Sequence, residues 1–341
     1  MKNLVEFAIP DDKIICDLYM DQVGLSAVAV ADEFDLFRII GSEPQDAATL
    51  AAKINSDKRA VEVLLNALVT QGGLANDDGK YSLTTVGDAF FKRGSPLCRI
   101  FQLYSNKESW AYKRISNMMK NGPDPVAFGK GSYTSMWETG TLTQEAADRF
   151  TAMMNTNIGA VAIAVAKSGI FADFTSVVDV GGASGIFLAA MRQLHPEMKL
   201  TLFELPQVCE SAKGILKHYV DPTSIEYFPA SFFEQQWPAN GQAYFLSNVL
   251  HDWPRAKGVE ILKNIRQALP SNGAVFINEA LLNEDRMSPK YTVLFDLMMH
   301  LNHASQQYTE VELFEILHEA GFKNPRRVFE FGYYSTIRAD V

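Results

Sequence analysis

Cysteine is scarce: the 341 residues hold three, Cys16, Cys98 and Cys209. They lie far apart and form no CxxC pair, so neither a disulfide framework nor a thiolate zinc site is expected, and a reducing cytoplasm is the compartment they suit. Concentrated positive charge is also lacking. Lys and Arg number 31 against 40 Asp and Glu, a formal net charge of −9, and the basic residues are scattered, which does not fit nucleic acid or an anionic membrane as a partner. Uninterrupted apolar runs are short. None approaches the roughly 18 residues of a membrane span, and the opening MKNLVEFAIPDDK lacks the apolar core of a signal peptide. What is present, 47% hydrophobic residues over 341 positions, is enough for two domains with separate cores.

The front of the chain reads as helical. Leu18, Val23, Leu25, Val28, Leu36 and Phe37 recur at helical spacing between 17 and 40, and a helical hairpin is expected from Asp46 to Val69. Gly72 and Gly73 end it, and the run GKYSLT at 79–84 suits the short strand of a wing, so the segment predicts a winged-helix-like unit. Such units commonly bind DNA. Here residues 42–95 carry six basic against seven acidic residues and the would-be recognition helix after Asp57 is mostly apolar, so a buried contact between two copies is the better expectation. Glycines and the run NGPDP at 121–140 mark a connection, and a helix is predicted from Thr143 to Lys167. The boundaries expected are a helical domain over 1–120, a linking and acceptor-pocket segment over 121–170, and a second domain over 171–341.

From Ser176 onward, apolar runs rich in β-branched and aromatic residues (VVDV, LTLFEL, IEYF, AYFLSNV, GAVFINEA) alternate with helical stretches. That alternation predicts an α/β fold with a doubly wound, mainly parallel, Rossmann-like sheet, whose ligands sit outside the carboxyl ends of the strands. The first strand runs into Val178-Asp179-Val180-Gly181-Gly182-Ala183-Ser184-Gly185, a tight turn opening a helix, where missing side chains let a ligand approach the backbone. A dinucleotide fingerprint would need glycine at 183 and 186, which are Ala183 and Ile186, and a phosphate loop would need a GKS or GKT ending. Both are absent. Instead Asp179 ends the first strand and Glu204 the second, a pair suited to an ammonium group and to paired ribose hydroxyls. Either acid alone could be a helix cap or a solvated strand end.

The succession VVDVGGASG, FELPQV, NVLHDW and INEALL resembles the class I S-adenosylmethionine-dependent methyltransferases of the small-molecule, plant catechol-type O-methyltransferase family, over nearly the whole chain. The resemblance implies a winged-helix-like dimerisation domain in front, a homodimer, and S-adenosylmethionine held by Asp179, Gly181, Gly182, Gly185 and Glu204. Two departures stand out. Ala183 replaces a third glycine of the loop, and Ala230-Ser231-Phe232-Phe233 replaces Gly-Asp-Met-Phe, so adenine contacts fall to the Ser231 hydroxyl and the Phe232 ring.

The resemblance also implies that His251, in Leu250-His251-Asp252-Trp253, is a general base for a hydroxyl acceptor, oriented by Glu279. A histidine titrates near neutrality and a neighbouring acid can orient it, so the assignment is chemically sound. The family's second acid is missing, because Gln307 stands at its place. A small branch that methylates the β-carbon of 2-oxo acids resembles this chain in another respect. It implies a metal held by His251, Asp252 and His303, an iron or zinc site of two histidines and one carboxylate that a 2-oxo acid could chelate. His300 lies three positions before His303 on the same helical face. Ordinary packing is the commoner fate of such a histidine, yet the loss of the acidic loop together with His303 tilts the expectation to metal-assisted carbon methylation, with O-methylation through His251 as the alternative. Met154, Trp253, Met299 and Asn302 are the acceptor-pocket candidates, with Met153, Met298, Phe128 and Trp137 on weaker grounds. Outside this class, a cofactor-sensing winged-helix regulator would need a basic recognition helix, and a fold repurposed for other chemistry would be expected to lose His251.

Overall fold

Local chemistry sets the helix starts of the front of the chain. In the computed structural model, which describes all residues except Phe7, 101–106, 124–132, Gln235 and Ala304 and the side chains of 133–135, 302 and 303, this region opens with α1 (Lys13–Glu33) and α2 (Leu36–Ile40). They are separated where Asp35 turns left-handed at φ +56°. The predicted hairpin is α3 (Ala47–Ile54) and α4 (Lys58–Thr70). Asp46 and Asp57 cap them, accepting from Thr49 N and Ala60 N at 2.8 Å each. The wing is an antiparallel pair, β1 (Leu74–Asp77) with β2 (Lys80–Leu83). After it comes α5 (Trp110–Asn121), capped by Ser109.

By length and mean hydropathy α1 is apolar enough to cross a membrane, although it holds no unbroken apolar run of that length. Half of that window is buried within the protein, as in a core helix.

The second region begins with α6 (Tyr133–Thr139) and α7 (Gln144–Lys167), the latter capped by Thr143. Strand and helix then alternate through β3 (Ser176–Val180), α8 (Ile186–Leu194), β4 (Lys199–Glu204), α9 (Pro206–Leu216), β5 (Glu226–Pro229), β6 (Ala243–Ser247), α10 (Arg255–Ala268) and β7 (Ala274–Ala280). The chain continues through α11 (Lys290–His303) and α12 (Glu310–Glu319) to a hairpin of β8 (Lys323–Phe331) and β9 (Tyr334–Asp340). Seven strands form one sheet in the order β5-β4-β3-β6-β7-β9-β8. The first five are parallel, as expected, and β9 runs antiparallel to both neighbours. That hairpin was not anticipated; Pro325 and two register shifts in β8 are typical of an edge strand and blur its alternation.

All five residues of β3 are buried, as befits a parallel strand covered on both faces. Burial of Val177, Val178 and Val180 at 0% exposure contributes roughly 1.5–3 kcal/mol each. Beside them Phe187 and Phe245 approach to 4.3 Å and Phe171 and Phe276 to 4.5 Å between ring centres.

Contacts group the chain into two units. One comprises Lys13–Ser132 with Leu282–Thr309, and the other Met1–Asp12, Tyr133–Leu281 and Glu310–Val341. The grouping cuts across a linear division, since α11 joins the helical unit. Inside that unit Arg59 of α4 pairs with Asp296 of α11 at 2.7 Å, and Asp296, 3% exposed, also accepts from Gln307 N at 2.8 Å.

Candidate active site

In the sheet-bearing unit the chain turns in opposite directions from β3: to β4 and β5 on one side, to β6 and β7 on the other. At such a switch point the loops after neighbouring strands part and leave a crevice at their carboxyl ends. Asp179, Glu204, His251 and Glu279 all lie at those ends, on β3, β4, after β6 and on β7.

The loop after β3 is built on left-handed residues. Gly181 has φ +67° and Gly185 +70°, conformations that glycine adopts without strain. Their missing side chains leave room for protein. A Cβ at 181 would stand 2.9 Å from Val249 Cγ2, and one at 185 would stand 3.1 Å from Leu216 Cδ1. Gly185 thus leaves room for Leu216 of α9, a packing role beside the place in the cofactor loop expected for it from the sequence. Ala183, at the position of the family's third glycine, has φ +45°. The alanine is accommodated, at the strain of a left-handed L-residue.

Gly182 lies closest to the acid. A Cβ there would fall 2.2 Å from Asp179 Oδ2, and that oxygen is buried without a hydrogen-bond partner. Burial, and then the Glu204 charge, push the Asp179 carboxyl well above the usual carboxylate range. Glu204 is more committed. Its Oε1 accepts from Ala183 N at 3.3 Å and its Oε2 from Leu205 N at 2.9 Å, and the Trp137 side chain also hydrogen-bonds it. Burial raises its pKa to about 7 against the pull of those bonds. Trp137, expected at the acceptor pocket, thus touches the acid at the end of β4.

Ser231 and Phe232, after β5, are 8% and 6% exposed. The Ser231 hydroxyl accepts from Phe233 N at 3.3 Å. Phe232 packs in an aromatic group with Phe233 and Trp253, at 4.9 and 5.8 Å between centres.

After β6 a single turn of 3-10 helix, Leu250–Asp252, carries His251, which is 3% exposed. Its Nδ1 lies 3.1 Å from Glu279 Oε2, and its Nε2 lies 3.7 Å from Asp252 Oδ1. Glu279 Oε1 accepts from Val249 N at 3.2 Å and Leu250 N at 3.1 Å, so the carboxylate fastens the turn and faces the ring at once. Burial lifts the Glu279 carboxyl to about 8 and that of Asp252 to about 6. A ring that turns Nδ1 to Glu279 presents Nε2 as the nitrogen able to take a proton.

The acceptor candidates divide. Trp253 is 4% exposed in the sheet-bearing unit, with Lys257 Nζ 5.5 Å above its ring, and Met154 is half-buried on α7. Met153 is 48% exposed, a surface residue. Met299, 5% exposed, belongs to the helical unit. His300 is buried there too, 4.0 Å from Asp57 Oδ1. The side chains of Asn302 and His303, and all of Phe128, lie outside the described residues. Among the described residues no group of three or more His, Cys, Asp or Glu is placed to hold an ion; the metal expected at His251, Asp252 and His303 turns on His303, whose side chain lies outside them.

Asn248 escaped the sequence reading. It is left-handed at φ +53°, 8% exposed, and neither of its amide atoms has a hydrogen-bond partner. An asparagine just before LHDW carries no periodic signal that would have singled it out.

Comparison with known proteins agrees with this geometry. An O-methyltransferase domain profile matches residues 112–323 and an O-methyltransferase dimerisation domain profile residues 21–93. The 3-hydroxy-5-methyl-1-naphthoate 3-O-methyltransferase of Streptomyces sahachiroi is 27% identical over 334 residues, covering 92% of this chain and 90% of that one. Acetylserotonin O-methyltransferase of Bos taurus is 26% identical over 328 residues, covering 91% and 92%. Among solved structures, a family 2 O-methyltransferase from Planctomyces limnophilus in complex with apigenin superposes with a TM-score of 0.83 at 20% identity, over 100% of this chain and 99% of that one.

Proposed function

The chain belongs to the O-methyltransferase family, whose members use S-adenosylmethionine, and from that premise we propose that it methylates a hydroxyl group on an aromatic small molecule, with His251 as the general base. The observation carrying this reading is the buried His251–Glu279 pair, 3.1 Å apart. Support for oxygen as the methylated atom comes from the relatives, which are named for O-methylation; carbon methylation of a 2-oxo acid and the ion it would use have no comparable support.

The site fits the cofactor. Asp179 offers a buried oxygen that lacks a partner, Gly182 keeps the space beside it clear, and the Glu204 carboxylate stands at the next strand end. Asp179 would take the ammonium of the amino-acid end, Glu204 the ribose hydroxyls, and Ser231 and Phe232 the adenine. When bound, S-adenosylmethionine supplies a methyl group made electrophilic by its sulfonium.

The protein's part is to prepare the acceptor. With Nδ1–H held against the Glu279 carboxylate, His251 Nε2 receives the hydroxyl proton, and Glu279 stabilises the resulting imidazolium. Imidazole suits a phenol, whose pKa of about 10 lies only a few units above its own, far better than an aliphatic alcohol. Burial of the pair excludes competing water. Trp253 and Met154 are proposed to contact the acceptor, and residues 21–93 to join two copies into a homodimer, as the dimerisation profile supports.

The test is to locate the transferred methyl. Incubation with 13C-methyl-labelled S-adenosylmethionine and a panel of hydroxylated aromatics and 2-oxo acids, read by carbon NMR, is expected to give label on oxygen of an aromatic product. Label on the β-carbon of a 2-oxo acid would overturn the proposal.

A further inference from the structure

We infer that the side-chain amide of Asn248 grips the amino-acid end of the methyl donor, its N–H meeting the carboxylate and its carbonyl the ammonium. The inference rests on the cofactor reading above and adds a residue which that reading lacks.

Three observations carry it. The first is chemical: Asn248 is 8% exposed, yet neither Oδ1 nor Nδ2 has a hydrogen-bond partner in the protein. Native proteins rarely bury an amide so, because both atoms forfeit their bonds to water. Asn278, on β7, shows the contrast. Its Nδ2 donates to Ser247 Oγ at 2.9 Å and its Oδ1 accepts from Thr336 Oγ1 at 3.0 Å, which is how a structural asparagine is satisfied.

The second observation is positional. β6 pairs with β3 up to Leu246 opposite Val180, so Asn248 follows β6 where Gly181 and Gly182 follow β3. Val249 is so close to Gly181 that a Cβ there would stand 2.9 Å away. With the adenine assigned to the end of β5 and the ribose to the end of β4, a donor extended across the strand ends brings its amino-acid end over β3 and β6.

The third is conformational. Asn248 has φ +53°, where its own N–H still reaches Asn278 O at 3.2 Å. Asparagine tolerates this region better than most residues, and a held left-handed residue next to a site is a common sign of a ligand constraint. An amide also matches a zwitterion: it supplies one donor and one acceptor face and adds no charge that would repel either pole.

Calorimetric titration separates this role from a structural one. S-Adenosylhomocysteine and 5′-methylthioadenosine share the adenosine part and a neutral sulfur, and only the former has the amino-acid end. In Asn248→Ala the affinity for S-adenosylhomocysteine is expected to fall at least tenfold while that for methylthioadenosine stays within twofold. Asn248→Gly, which keeps the left-handed backbone free of strain, is expected to behave alike, and its retained methylthioadenosine binding reports that it is folded. Equal losses for both ligands, or unchanged S-adenosylhomocysteine affinity, would overturn the inference. Wild-type protein binding neither ligand would instead remove the cofactor reading itself.

Discussion

The two sides of the crevice use one device for two ends. At the end of β4, Glu204 spends both oxygens on backbone N–H groups, of Ala183 and Leu205. At the end of β7, Glu279 spends one oxygen on Val249 N and Leu250 N and turns the other to His251. Both acids are buried, and burial pushes their pKa values to about 7 and about 8. A carboxylate bonded through both oxygens to the backbone, and to Trp137 besides, holds a loop in place, whereas one with an oxygen left over can aim a base. If Glu204 serves the cofactor and Glu279 the base, as proposed, cofactor affinity and acceptor activation should respond to separate substitutions, although each rests on a buried acid next to a strand end.

Crossed substitutions break the comparison most directly. Glu279→Gln is expected to lower kcat by roughly 10²-fold or more, the scale of general-base catalysis, with S-adenosylmethionine Kd within about twofold. Glu204→Gln is expected to weaken S-adenosylmethionine binding by about ten- to a hundredfold, from the 1.5–3 kcal/mol of hydrogen bonds to a charged group, with kcat at saturation nearly kept. Steady-state kinetics beside calorimetry reads both. A variant losing affinity and kcat together would merge the two halves.

Gly182→Ala comes next. Its Cβ would lie 2.2 Å from Asp179 Oδ2, so the loop must shift, and cofactor affinity is expected to fall about tenfold, the equivalent of 1.4 kcal/mol. Gly159→Ala on α7, where a Cβ would meet nothing within 4 Å, is the matched control. It should leave affinity unchanged.

Protonation sharpens the difference further. The pair formed by His251 and Glu279 is ready when it holds one proton, on Nδ1, so kcat is expected to rise as pH climbs through about 8, where Glu279 ionises. Cofactor affinity is expected to rise through about 7, as Glu204 ionises. Stability moves the other way. Both acids have folded-state pKa values raised above their ordinary 4.5, so the stability they contribute is fully present below that value and is lost as pH rises through about 7 and 8. Thermal unfolding of ligand-free protein between pH 5 and 9 should show a falling Tm.

The smallest effect concerns the loop alanine. Ala183→Gly removes left-handed strain of about 1–2 kcal/mol and adds unfolded-chain entropy worth about 0.4–1 kcal/mol, for a net gain near 0.5–1 kcal/mol in chemical denaturation.

Much of this architecture was legible in the sequence because its signals are local. Asp46, Asp57 and Thr143 announce helix starts, and the five parallel strands stand out as β-branched runs of the right length. The acids at the strand ends and His251 could be named from their motifs. What stayed hidden depends on partners distant in sequence. No spacing rule reveals that Gly185 makes room for Leu216, that Trp137 reaches Glu204, or that the amide of Asn248 is left unmet where that of Asn278 is satisfied. The hairpin of β8 and β9 was missed for another reason: an edge strand carrying Pro325 and three arginines or lysines lacks the apolar alternation that marks its neighbours. The leaning towards a metal came from His303 standing beside a loop that has Gln307 in place of an acid, a pattern of positions that carries no information on environment.

On the proposed reading His251 activates the acceptor and takes no part in holding the donor. His251→Ala, with turnover and S-adenosylmethionine Kd measured on one preparation, tests it. Turnover is expected to fall by roughly 10²–10⁴-fold with Kd within about twofold of wild type; turnover that survives the substitution, or affinity lost along with it, would rule out His251 as a base acting on the acceptor alone.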